Sequence, residues 1–178
     1  MKTIDLKKFN TSPSDKFLFD TNIWIYLYAP IAGANAALQA KYARLLKEII
    51  SRNATIFITS TIVSEYINRS LRIAFGNWKK ANNLASADFK RDYRCTGEYK
   101  SDLNAVKIEI KEILANKCVS QKPDNFHNIN IDDLFGRMDD GCDYNDAYII
   151  KTCEQDNIIL VSNDKDFQNL SSPVKLII

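Results

Sequence analysis

The chain has 178 residues, 46% hydrophobic and 26% charged, which suits one globular domain with a real core and excludes a disordered tail. No run approaches the roughly 18 apolar residues of a membrane span. The basic N-terminus MKTIDLKKFN has no apolar stretch of signal-peptide length, so no membrane attachment and cytoplasmic residence are the expectations. The net charge of +2 conceals a polarity: residues 1 to 65 hold 8 basic and 5 acidic side chains, residues 66 to 122 hold 12 and 6, and residues 123 to 178 hold 4 and 11. Such segregation fits an acidic cluster that binds cations beside a basic surface that meets phosphates; the plain alternative is unevenly charged solvated faces.

In chain order, FLFDTNIWIYLY (residues 17 to 28) reads as a short buried strand, a polar turn at Asp20, Thr21 and Asn22, and the start of a helix. Residues 35 to 50 carry apolar side chains at helical spacing, and TIFI (55 to 58) follows a polar turn as a second strand. Ser60 or Thr61 is placed to cap the helix STIVSEYINRSLRIAFGNWKK, which puts Glu65 in its first or second turn. Residues 81 to 128 are the least legible, with a helix predicted from about 101 to 118 and a polar connection containing Pro123 and His127. Beyond them come a helix at 144 to 155, a strand at 158 to 161, a helical turn at 164 to 169 and a last strand at 174 to 178. Cys95, Cys118, Cys142 and Cys153 form no CxxC pair and read as reduced thiols, not as disulfides or zinc ligands.

Short apolar strands separated by helices predict an α/β fold: a three-layer α/β/α domain around a central, mostly parallel sheet, because parallel strands need crossover connections. The whole chain, 1 to 178, is expected to form one domain with a helical elaboration at about 70 to 128. In that architecture Asp20 and Asp164 both follow strands, Glu65 lies on a helix leaving a strand, and Asp146 begins a helix that leads back down to one. All four therefore belong to the carboxyl edge of the sheet, where ligands bind in open α/β folds. Gathered carboxylates repel and raise one another's pKa values. A hard divalent cation, Mg²⁺ or Mn²⁺, relieves that repulsion and activates water for phosphodiester hydrolysis.

The ordered set of Asp20 in FDTN, Glu65 in STIVSEY, Asp146 in NDAYII and Asp164 in VSNDKDF resembles the PIN domain family, including the VapC-like toxins of toxin–antitoxin pairs. The resemblance spans nearly the whole chain. It implies an Mg²⁺- or Mn²⁺-dependent endoribonuclease whose four acids hold the metal, with Thr21, Asn22 and Ser162 as polar supports. It also implies an RNA substrate, an antitoxin partner and a homodimer. The chain is longer than compact toxins of this family, with extra helical sequence between Glu65 and Asp139.

Each residue also has a plain role. Asp20, Thr21 or Asn22 could serve only as a turn or cap, and Glu65 as a helix-start charge favoured by the macrodipole. Asp143 could cap the helix that carries Asp146 and stays a secondary candidate, as does Asp166 beside Asp164. His127 reads as a surface residue, and Trp24, Tyr26, Tyr28 and Trp78 as packing. Arg69, Arg72, Lys79, Lys80, Lys90, Arg91 and Arg94 read as a solvated face that would bind phosphates if it bordered the acids. Two other functions compete with the nuclease. A haloacid-dehalogenase-like phosphotransferase is weakened because Asn22 stands where DxDxT needs its second acid, and a catalytically silent PIN-like module binding RNA or protein is opposed by the presence of all four acids.

Overall fold

The structure is a computed structural model, and it describes residues 1–29 and 36–178. Strands β1 (Lys2–Ile4), β2 (Lys16–Phe19), β3 (Thr55–Ile58), β4 (Val119–Gln121), β5 (Ile159–Val161) and β6 (Lys175–Ile177) form one sheet in the order β1-β6-β5-β2-β3-β4. Every pairing in it is parallel. The helices are α1 (Thr21–Tyr28), α2 (Ala36–Arg52), α3 (Ser60–Ala81), α4 (Gly97–Ala115), α5 (Ile131–Asp139) and α6 (Tyr144–Asp156). They cover the sheet on both faces in a three-layer α/β/α arrangement. Consecutive residues of the middle strands, Phe17, Leu18 and Phe19 in β2 and Leu160 and Val161 in β5, are wholly buried. Unbroken burial of that kind is what separates a doubly covered parallel strand from the alternating pattern of a half-exposed one.

Local chemistry sets the boundaries. Thr59, one residue before the expected caps, starts α3 by accepting a hydrogen bond from the Ile62 amide at 3.3 Å. Thr96 does the same for α4 through the Tyr99 amide at 3.1 Å, so α4 begins and ends earlier than the 101 to 118 expected. Asn157 closes α6 in the left-handed region at φ 52°, which asparagine tolerates better than most residues. The first residue of the helix predicted at 35 to 50 lies outside the described residues; the rest of it is α2.

Three elements went unread in the sequence. β1 and β4 are three-residue edge strands with mostly exposed side chains, too short and polar to give a periodic signal. α5 carries Ile131, Leu134, Phe135 and Met138 at helical spacing, a signal passed over in the sequence because it follows the least legible stretch, and only Leu134 of the four is buried.

The sheet aligns the chain segments that follow its strands. β2 sits between β3 and β5, and the chain order reverses there, which makes the β2/β5 boundary the switch point of the fold. Phe19 is in register with Val161, so the next residues, Asp20 and Ser162, stand opposite each other. The Asp20 amide extends the pairing with a bond to the Val161 carbonyl at 2.9 Å.

Truncating the wholly buried Leu18 should cost about 3 kcal/mol, because a central-strand leucine leaves a cavity that two covering layers cannot close. Thr59→Ala should cost about 1 kcal/mol through the lost cap. Urea unfolding of both variants checks the order and the size of the two effects.

Candidate active site

Asp20 occupies the N-cap position of α1, yet its side chain caps nothing. Its Oδ2 instead accepts hydrogen bonds from Asn22 Nδ2 at 2.6 Å and from Ser162 Oγ at 2.6 Å. Ser162 is fully buried, and its Oγ also accepts the Asp164 amide at 3.0 Å. That hydroxyl ties the end of β2 to the turn after β5. Asn22 completes the link, because its Oδ1 accepts the Asn163 amide at 3.4 Å.

Glu65 projects from the second turn of α3 toward the same place. Its Oε2 accepts from the buried Thr21 hydroxyl at 3.0 Å, and its Oε1 meets Arg69 at 3.2 Å. Asp146 stands in the first turn of α6, whose N-cap is Asp143: the Asp143 carboxylate accepts the Asp146 amide at 2.9 Å. Asp143 is thus a cap and also a nearby negative charge. Asp164 is exposed, and its Oδ1 accepts the Asp166 amide at 3.0 Å. The exposed Asp166 side chain makes no hydrogen bond or ion pair with the other acids.

Electrostatics show that these groups share one field. Burial raises the Asp20 carboxyl to about 6; the Ser162 hydrogen bond opposes that rise and the negative charge of Glu65 adds to it. Asp146 is raised to about 7, first by burial and then by repulsion from Asp143, Asp20, Asp164 and Glu65. Asp146 therefore feels all three of the other predicted acids, which come from distant segments, and Asp143 beside it more strongly than any of them. Among the described residues no three acids, histidines or cysteines are drawn together closely enough to hold a metal ion by themselves. The donor set is nonetheless all oxygen, anionic and under mutual repulsion, and it fits a hard divalent cation that keeps several waters and shares its shell with a substrate's phosphate.

Two contributors had no signal in the sequence. Asn163 accepts a hydrogen bond from the Tyr42 hydroxyl at 3.3 Å, which braces the β5 turn against α2. Tyr42 sits at an apolar position of α2 and reads there as core alone. His127 lies exposed in a short 3-10 turn, Cys95 is exposed and free, and Cys118, Cys142 and Cys153 are buried and free. A cavity of about 500 Å³ lies elsewhere, between α3 and α4, bordered by Ser70, Trp78, Asp102 and Glu109 and by none of the four acids.

An all-parallel sheet with acids gathered at its switch point defines a class of α/β proteins with a carboxylate-lined edge site. Within that class the chain belongs to the PIN domain family, whose model matches residues 17–172. Among solved structures, the chain resembles VapBC2 from Rickettsia felis, crystallised bound to a DNA fragment from its promoter, with a TM-score of 0.54 at 14% identity over 91% of this chain and 98% of that one. PAE2754 from Pyrobaculum aerophilum aligns with a TM-score of 0.47 at 17% identity over 99% of this chain and 92% of that one. No curated protein sequence matches. No helix among the described residues is long and apolar enough to cross a membrane.

The raised Asp20 pKa carries a stability consequence. The unfolded carboxyl titrates near 3.8 and the folded one at about 6, so the folded state binds more protons between those values. The penalty is absent below about pH 4, grows through that interval and is full above about pH 6, where it amounts to about 3 kcal/mol. Asp20→Asn, which keeps a carbonyl oxygen for Asn22 and Ser162, should raise the melting temperature at pH 7.5 by several degrees and flatten its fall between pH 4 and 7. Thermal melts in EDTA measure both.

Proposed function

We propose that this protein is a metal-dependent endoribonuclease hydrolysing RNA phosphodiester bonds. The observation that carries this reading is the Asp20 carboxylate: it stands at a cap position without capping, is held by Asn22 and Ser162, and feels the charge of Glu65, while Asp146 in turn feels Asp20, Asp164 and Glu65. A pure packing or capping role leaves that arrangement unexplained, since it raises two carboxyl pKa values against the stability of the fold. Membership of a family rich in metal-dependent ribonucleases supports the same conclusion.

Asp20, Glu65, Asp146 and Asp164 would hold Mg²⁺ or Mn²⁺. Such a cation, when bound, lowers the pKa of a coordinated water and offsets the charge that builds on the phosphodiester. The rest falls to the protein. Asn22 and Ser162 fix the rotamer of Asp20 by donating to one of its oxygens, and Thr21 orients Glu65 by donating to Oε2. Asp146 stands in the first turn of α6, where the helix end favours negative charge and its amide is engaged by Asp143. RNA that is single-stranded or looped suits an open edge site, because its backbone can bend into the acids.

Purified protein incubated with labelled RNAs should cut them with Mg²⁺ or Mn²⁺ and not with EDTA. Asp20→Asn and Asp146→Asn should each lower cleavage by about 100-fold or more, given the several kcal/mol that metal-held charge stabilisation supplies. The same cations should raise the melting temperature of the wild type and leave Asp20→Asn unmoved. A non-catalytic RNA- or protein-binding module is the second reading, favoured because no three acids, histidines or cysteines among the described residues are close enough to hold a metal by themselves. RNA binding with no cleavage under any cation would select it.

We further infer that the protein acts as a toxin with an antitoxin partner, whose basic side chain would compete for the carboxylates. The nuclease domain spans the whole chain in this reading, and two copies pair. Expression alone should arrest growth, and co-expression of the neighbouring gene product should relieve the arrest. Growth unaffected by the protein alone would remove the toxin role and leave the nuclease.

A further inference from the structure

Helix α3 is 22 residues long and carries Glu65 in its second turn, so most of its length runs on beyond the candidate site. At about 100° per residue, Arg69, Arg72, Gly76, Lys79 and Lys80 all fall within about 60° of Glu65 around the helix axis. The buried Tyr66, Ser70, Leu71 and Phe75 lie about 80° to 140° away from Glu65 around the axis, on either side of the stripe. One basic stripe therefore begins at a candidate catalytic acid and extends about 22 Å along the helix to Lys80.

The charges of this stripe are largely uncommitted. Arg69 pairs with Glu65, whereas Arg72, Lys79 and Lys80 enter no ion pair among the described residues. The Arg72 guanidinium lies 4.3 Å from the centre of the Phe89 ring, which holds it in place without neutralising it. Lys79 rests over Phe75 at 5.0 Å and reaches the Ala85 carbonyl at 3.5 Å. The acids beside Phe89 are occupied locally: Asp88 accepts the amides of Lys90 and Arg91, and Asp92 takes the Arg91 guanidinium.

Gly76 interrupts the stripe between Arg72 and Lys80. Glycine is a poor helix former, and a Cβ at this position would meet nothing within 4 Å among the described residues, so internal packing does not call for it. A bare stretch of helix backbone flanked by free cations is a place where another chain can approach closely.

We propose that this face of α3 is a track for the RNA backbone, with phosphates on Arg72 and Lys80 and the strand crossing Gly76 as it leaves the acidic site. The proposal rests on the nuclease reading and extends it: the substrate is a strand long enough to run from the acids along the helix. Binding along the track is read through phosphates and carries no base sequence.

The test uses the whole chain carrying Asp20→Asn, with Mg²⁺ present, and fluorescein-labelled single-stranded RNAs of about 4 and about 16 nucleotides, followed by anisotropy across a salt series. Arg72→Gln combined with Lys80→Gln should weaken the longer RNA several-fold. It should also make the slope of log Kd against log salt shallower by about 1.4, or about 0.7 for each of two phosphates. Affinity for the short RNA should not change, and loss of the Arg72–Phe89 contact should lower the melting temperature by no more than a few degrees. Gly76→Leu should weaken the longer RNA without lowering the melting temperature. Unchanged affinity and salt slope for the longer RNA in both variants, with RNA still bound, would overturn the track and leave the nuclease reading standing. RNA bound by no form of the protein, with wild-type cleavage under Mg²⁺ or Mn²⁺ also absent, would overturn both.

Discussion

The parallel pairing of β2 with β5 at the point where chain order reverses is the constraint on which the candidate site depends. Its register sets Asp20 opposite Ser162, and a hydrogen bond between two residues 142 positions apart in sequence becomes a local contact. From that contact the others follow. Asn22 reaches both partners, the turn after β5 is held to α1, and Asp164 is delivered to the same edge. A one-residue slip in the register would turn Asp20 to the other face of the sheet and dissolve the group.

The sheet gathers negative charge at a cost to its own stability. Asp20 and Asp146 are both held in surroundings that disfavour their ionised forms, and burial is the larger cause for each. Marginally stable domains do not keep such arrangements for packing alone, since an uncharged residue of similar shape relieves the strain. The hydroxyl and amide donors around Asp20 offset part of the burden and fix its geometry. The acidic site and the basic stripe of α3 adjoin at Glu65 and Arg69, so the charge polarity visible along the chain becomes a boundary in space.

Much of the fold was legible because its signals are local. Four apolar strands bounded by polar turns, and the helices between them, appear near their observed positions, since burial on both faces leaves an unbroken apolar run in the sequence. The missing strands lacked such a run, since β1 and β4 are exposed edges, whereas α5 carries a helical spacing of Ile131, Leu134, Phe135 and Met138 and turns much of that surface outward. The cap of α3 moved by one residue, to Thr59, because Thr59, Ser60 and Thr61 offer equivalent hydroxyls and only the backbone geometry selects among them.

The sequence by itself determined which residues carry charge at the ends of apolar strands, and hence that Asp20, Glu65, Asp146 and Asp164 belong to one edge of a parallel sheet. Periodicity and turn chemistry act over a few residues, so they suffice for that much. Only the tertiary structure decided that the Asp20 side chain serves Ser162 and Asn22 in place of its own helix, that Asp143 caps while Asp146 lies in the field of the other acids, and that Tyr42 braces the β5 turn. Those outcomes depend on side chains far apart in sequence meeting across a defined register, and no local pattern encodes a distance between strands.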